Sequence, residues 1–346
     1  MRARRLKTPL LPMEATTVEE IPIGAEWQYE PKWDGFRCLA FRRGKKVELQ
    51  SKSGKPLTRY FPEVAAEIAR LSTDNFVLDG EVVIPVGNRL SFNDLLMRIH
   101  PAESRIRKLA AETPAMYIVF DLLEDETNVL ADSPLEDRRE RLEKFAKREF
   151  RKTDGIRLSP ATRDVKVARR WFKGAGRSLD GVIAKRTDVE YRSDDRTGMC
   201  KIKKQRTVDC VVGGFRYASK KREVGSLLLG LYNDDGELDH VGFTSSIAHN
   251  QRAALTKKLE QLIEPPGFTG KAPGGLSRWS TERSTKWEPL QPKLVIEVEY
   301  DHFTGGRFRH GTKFLRWRPD KAPRQCRMEQ VERGGAASLQ VLIAGK

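Results

Sequence analysis

The sequence predicts a two-domain α+β protein, with strands and helices mixed over residues 1–204 and a smaller, β-rich domain over residues 205–346. Short apolar runs alternate with helical patterns as far as Lys204, whereas the remainder reads almost entirely as strand. A chain of 346 residues with 38% hydrophobic content has enough apolar side chain to build a core in each half.

In the first domain, Cys38 to Phe41, Val47 to Ser51, Phe76 to Leu78, Val82 to Ile84, Met116 to Leu122 and Gly181 to Lys185 are rich in β-branched and aromatic residues and read as strands. Between them, Pro62 to Leu71 reads as a helix. A second helix opens at Ser133, with Pro134 in its first turn and Glu136 completing a capping box. A third runs from Asp164 through Trp171 and stops at Gly174 and Gly176. Beyond Lys204, Val208 to Phe215, Ser226 to Tyr232, His240 to Thr244, Leu294 to Tyr300 and Lys313 to Arg318 read as strands, the second and third joined by a turn at Asn233 to Gly236. Ile247 to Leu262 reads as the one helix here, and Glu264 to Gly275 as an exposed Pro/Gly-rich loop. Five strands with a helix between the third and fourth is the layout of an oligonucleotide-binding (OB) barrel, a spacing shared with other small β domains.

With 64 Lys and Arg against 48 Asp and Glu, the net charge of +16 suits a polyanionic partner, nucleic acid foremost. Ribosomal and chromatin proteins share that property. The four cysteines, at 38, 200, 210 and 326, form no Cys-x-x-Cys pair, so they read as reduced thiols rather than zinc ligands or a disulfide framework. The basic start lacks an apolar signal core, and no stretch approaches the roughly 18 apolar residues of a membrane span, so a cytoplasmic protein is expected.

The most informative segment is Glu30-Pro-Lys-Trp-Asp-Gly-Phe-Arg37, a lysine just ahead of a tight Asp-Gly turn. A lysine amine attacks phosphorus only when unprotonated, and neighbouring cations favour the neutral amine. Arg37, Lys201 and Lys203 are the candidates for those cations. Lys-x-Asp-Gly alone is common in a lysine-rich chain, where it is equally a surface turn. Glu81 and Asp180 are acidic residues at expected strand ends among basic surroundings, fitting a hydroxyl acceptor and a hard-metal ligand; each also reads as a turn carboxylate. Lys201 and Lys203 alternate on a strand and point the same way, as two side chains reaching one phosphate must.

The ordered series that follows Lys32 resembles the covalent nucleotidyltransferase superfamily of ATP-dependent DNA ligases, RNA ligases and capping enzymes. Lys32-Trp-Asp-Gly35 resembles the nucleophile motif, Leu78-Asp-Gly-Glu81 the third motif and Tyr117-Ile-Val-Phe-Asp121 the aromatic motif. Asp180-Gly-Val-Ile-Ala-Lys185 resembles the fourth motif, Lys201-Ile-Lys203 the fifth and Arg316-Trp-Arg-Pro-Asp-Lys321 the sixth. The resemblance implies an adenylation domain followed by an OB domain, with ATP as donor and Mg²⁺ or Mn²⁺ as cofactor. It makes Lys32 the nucleophile that carries AMP. Glu30, Arg37, Lys52, Glu81, Phe120, Lys201, Lys203, Arg318 and Lys321 become nucleotide-binding residues, with Phe120 stacking on adenine and Glu81 on the ribose. Glu81 and Asp180 become metal ligands, and Asp320 orients the pyrophosphate leaving group.

Two departures stand out. Asp180 occupies a position where many members carry glutamate, and Lys52, in Ser51-Lys-Ser-Gly54, replaces a frequent arginine and cannot make its bidentate fork. The short extensions outside the motifs, and the details of the fourth and fifth, look most like small bacterial repair and end-joining ligases. By that resemblance the partners are nicked or broken duplex DNA, Ku and repair polymerases or primases, and the protein is a nucleoid-associated monomer. Gly267 to Lys286, with Lys271, Arg278, Arg283 and Lys286, is expected to help clamp the duplex. A GTP-using capping enzyme, an RNA ligase and a non-catalytic basic DNA-binding protein stay open at this point.

Overall fold

The computed structural model describes residues 5–174, 179–219, 221–274 and 286–332, which divide after Lys204 into two compact units. Arg278 and Arg283 of the expected clamp lie outside the described residues, as does Gly176.

A small hairpin, Pro85–Val86 with Arg89–Leu90, and two main sheets are formed by the described residues of the first unit. One orders its strands Lys46–Ser51, Phe36–Arg43, Asn75–Val83, Met116–Glu124 and Ile156–Leu158, antiparallel except for the last pair. The other runs Thr16–Thr17, Met199–Lys203, Leu179–Arg186 and Trp27–Trp33. The helices Pro62–Ala69 and Leu135–Glu149 cover one face of the larger sheet, where Phe76, Phe145 and Phe150 pack edge to face. The helix Val165–Gly174 lays Ala168, Trp171 and Phe172 on Tyr29, Val182 and Ala184 of the smaller sheet. Leu39, Phe41, Val77 and Leu123 of the larger sheet meet Met199 and Ile183 of the smaller, joining the two.

Asp34 and Gly35 link Trp33 to Phe36, so the expected tight turn carries the chain from one sheet into the other. A Cβ on Gly35 would lie 2.2 Å from the Val82 carbonyl oxygen, so only glycine allows the strands to approach this closely.

Several expectations need correction. Phe76 to Leu78 and the expected strand at Val82 form one continuous strand, Asn75–Val83, with Ile84 just beyond its end; the polar Asp79 is tolerated in its interior because Arg37 and Tyr191 satisfy it there. The Ser133/Glu136 capping box does not form. The N–H groups of Leu135 and Glu136 instead donate to the carbonyls of Val189 and Thr187, and Pro134 stands at the cap. Helices Phe92–Arg98 and Glu103–Glu112 were not anticipated.

In the second unit the strands Arg206–Ala218, Lys221–Tyr232, Leu238–Thr244, Val295–Tyr300 and Lys313–Trp317 lie in the order third, second, first, fourth, fifth. The third strand meets the approach to the fifth through a parallel bridge between Thr244 and Thr312, where the Thr312 N–H donates to the Phe243 carbonyl at 3.0 Å. The helix is shorter than expected, Arg252–Glu260 after a 3₁₀ turn at His249–Gln251. Ser246, just upstream, is tied to the fifth strand by accepting the Phe314 N–H, which delays the helix start. Over its described residues the loop after Glu264 is mostly exposed, but Gly267 and Pro273 are buried and Phe268 packs between His240 and Trp287.

Candidate active site

Glu30 and Lys32 share one face of the strand Trp27–Trp33, while Tyr29 and Trp33 point the other way into apolar clusters. Opposite them, Ile183 and Gly181 pair with Glu30 and Lys32 in register. The ladder slips between Leu179 and Gly181, a bulge that turns the buried Asp180 toward Lys32. Gly181 takes φ of +147°, and a Cβ there would lie 1.9 Å from the Ile202 carbonyl oxygen, so the bulge depends on glycine. Lys32 Nζ then lies 2.5 Å from Asp180 Oδ2, and Lys203 Nζ reaches the same oxygen at 3.4 Å. Glu30 accepts from Gln28 at 2.9 Å and pairs with Lys185 at 2.8 Å.

The other wall comes from the larger sheet. Arg37 grips both oxygens of the fully buried Asp79 at 2.6 Å, and the Tyr191 hydroxyl donates to Asp79 Oδ2 at 2.6 Å. Arg37 is therefore a cation paired with Asp79 rather than one standing alone beside Lys32. Its guanidinium and the Lys185 ammonium sit 4.8 and 4.5 Å from the Phe120 ring centre. Lys52 pairs with Glu14 at 2.7 Å, and Glu14 also holds Arg196 at 2.7 Å. The Lys52 contact foremost keeps the Glu14 carboxyl below the usual range. Glu30, Lys32, Arg37, Lys52, Glu81, Phe120, Lys185 and Lys201 line one pocket.

Burial pushes the Glu81 carboxyl up to about 7, against the pull of Lys32 and Arg37. Burial also lowers the Lys201 ammonium, helped by the nearby Lys203, Lys52 and Lys32. The Glu81 shift has a definite sign in stability. Between about 4.5 and 7 the folded protein holds a proton on Glu81 that the unfolded chain releases, so stability falls as pH rises through that window and levels off above it. In chelator-containing buffer, denaturant midpoints from pH 5 to 8 should fall in the parent, and Glu81→Gln should remove that part of the slope.

Arg318, Asp320 and Lys321 lie together in the second unit. Arg318 and Lys321 contact Asp209 at 2.9 and 2.6 Å, and Asp320 grips Arg318 at 2.9 to 3.2 Å. Glu14, Asp79, Tyr191 and Asp209 were missed as parts of these clusters. Asp79 stood inside a recognised motif, and the other three carried no local signal.

Among the described residues, no group of three or more His, Cys, Asp or Glu forms a self-contained metal site. Two carboxylates beside one lysine nevertheless fit a Mg²⁺-type ion, which takes one or two protein carboxylates and completes its shell with phosphate oxygens and water.

A lysine held on a carboxylate, an aromatic ring flanked by cations and further lysines thus meet in the first unit, a set suited to a nucleotide. Residues 9–203 match the ATP dependent DNA ligase domain family and residues 220–321 the ATP dependent DNA ligase C terminal region. DNA ligase C2 of Mycolicibacterium smegmatis is 44% identical over 94% of each chain. The multifunctional non-homologous end joining protein LigD of Pseudomonas aeruginosa is 31% identical over 94% of this chain and 38% of its own length. The solved structure Pmar-Lig_PreS3 superposes with a TM-score of 0.60 at 19% identity, covering 90% of this chain and 68% of that one, a likeness of fold. The chain belongs to the ATP-dependent DNA ligases and is an enzyme of that family, with an adenylation domain followed by an OB domain. No helix among the described residues is long and apolar enough to cross a membrane.

Proposed function

We propose that this ligase seals 5′-phosphate/3′-hydroxyl nicks in duplex DNA through AMP carried on Lys32, in bacterial excision repair or end joining. The observation that carries the reading is the position of Lys32 Nζ, in a pocket with Phe120, Glu81 and Lys201 and 2.5 Å from Asp180. Adenine lies on Phe120 and the ribose hydroxyls on Glu81. Lys201, Lys203 and Lys52 take phosphate oxygens: Lys52 and Lys203 exchange their carboxylates Glu14 and Asp180 for them, and an anion relieves the repulsion between Lys201 and the lysines around it. Arg37 keeps its grip on Asp79 and holds the Phe120 wall in place.

The Lys32 amine attacks the α-phosphorus, a nitrogen–phosphorus bond forms as the bond to pyrophosphate breaks, and the amine proton leaves. The AMP then passes to a 5′-phosphate at the nick, and a 3′-hydroxyl displaces it to close the strand. Arg318 and Lys321 bind the pyrophosphate leaving group, with Asp320 orienting Arg318. A divalent ion on Glu81 and Asp180 would offset charge developing on the phosphate. The partners of this reading are nicked or broken DNA, with Ku and a repair polymerase or primase recruiting the monomeric enzyme at the nucleoid. The basic loop with Lys271 and Lys286 helps hold the duplex.

Sealing of a labelled nick with ATP and Mg²⁺ or Mn²⁺ tests this. A 5′-phosphate nick should be joined, and a 5′-hydroxyl nick left open. Joining without nucleotide by protein stripped with pyrophosphate, or no joining under any metal, would contradict it.

A further inference from the structure

Arg318 and Lys321 are held in an arrangement that neither makes alone. Like charges repel, yet both cations meet one carboxylate: Arg318 reaches Asp209 Oδ1 at 2.9 Å and Lys321 reaches Oδ2 at 2.6 Å. Asp209 sits on the strand Arg206–Ala218, opposite Glu297 of the strand Val295–Tyr300, and is 8% exposed. Its own carbonyl accepts from the Gln330 side chain at 3.3 Å. Arg318 has two further carboxylates, Glu297 at 4.0 Å, which Arg316 holds at 2.7 Å, and Asp320, of a different kind. The Asp320 side chain is 63% exposed and two residues away in the chain. The buried partner is thus built into the sheet, and the exposed one is free to exchange with another anion.

We propose that Asp209 is a positioning residue for nucleotidyl transfer, holding Arg318 and Lys321 side by side as a two-cation cradle for the pyrophosphate half of ATP. The inference rests on the reading above, in which those two cations serve the leaving group. In this arrangement Asp320 orients Arg318 until the incoming phosphate takes its place, while Asp209 stays. One buried carboxylate fixes both cation stems, so less side-chain freedom is lost when the anion binds. The cradle acts only while pyrophosphate is present. It therefore serves AMP transfer from ATP to Lys32 and plays no part in closing a nick that already carries AMP.

That separation supplies the test. Asp209→Asn keeps the shape of the side chain and removes its charge. Self-adenylation from ATP should fall by about tenfold to a hundredfold, with a higher KM for ATP, while sealing of a pre-adenylated nick by the same preparation stays within about twofold of the parent. Asp209→Glu, which restores the charge, should recover part of the adenylation rate. Equal loss of both half-reactions would make Asp209 a purely structural residue and overturn the proposal, as would an unchanged adenylation rate. Arg318→Ala and Lys321→Ala distinguish the underlying reading. If neither impairs self-adenylation, the leaving-group role fails and the proposal with it. If both impair it while Asp209→Asn does not, the proposal alone is wrong.

Discussion

Lys32→Ala and Lys32→Arg should both abolish ATP-dependent nick sealing, with a loss of at least about 10⁴-fold, because each removes the protein group proposed to bond to phosphorus. The arginine variant is the more informative. A guanidinium can still pair with Asp180 and preserve the pocket's charge, but it stays protonated and cannot act as a nucleophile. A structural lysine would tolerate arginine, whereas a nucleophile would not. Sealing of a pre-adenylated nick should suffer far less in both variants, since the attacking group there is the 3′-hydroxyl. Rates of AMP transfer to protein and of closure of the pre-adenylated nick, measured separately, check both halves.

The second large effect is expected at Asp180. A single oxygen of this buried carboxylate lies 2.5 Å from Lys32 and 3.4 Å from Lys203. Asp180→Asn leaves an amide of the same size and strands two cations beside it, so the Lys32 amine loses its orientation and the proposed metal loses a ligand. Lysyl-AMP formation at saturating ATP should fall by about 10² to 10³-fold. Asp180→Glu should keep activity within about tenfold of the parent, because the longer carboxylate matches what many family members carry. An asparagine variant as fast as the parent would remove Asp180 from the reaction.

The sequence was most informative where chemistry is concentrated in short segments. Glu30, Lys32, Glu81, Phe120 and Lys201 are spread over about half the chain, yet they line one pocket because each lies on a strand whose alternation sends it to that face. The electrostatic pairing was far less legible. Arg37 reads from the sequence as a cation available to Lys32, and only the packed structure reveals the buried Asp79 and Tyr191 that engage it. The long strand through Asp79 was misread as two for the same reason, since a charged residue in an apolar run looks like a break until its partner is known. Lys185 stood in the sequence only as the last residue of the fourth motif, with no role of its own, but the structure sets it between Glu30 and the Phe120 ring. In the second unit the positions of the five strands were legible from the spacing of apolar runs, while the Asp209 contacts join residues more than a hundred positions apart and have no local signature.

The covalent intermediate on Lys32 is tested most directly by transfer of α-labelled ATP or GTP to protein first stripped with pyrophosphate, with divalent metal present and Lys32→Ala alongside, followed by a chase with nicked DNA. Acid-labile label from ATP that requires Lys32 and is discharged as the nick closes is the predicted result. Label from GTP alone, label that survives Lys32→Ala, or no label at all would contradict it.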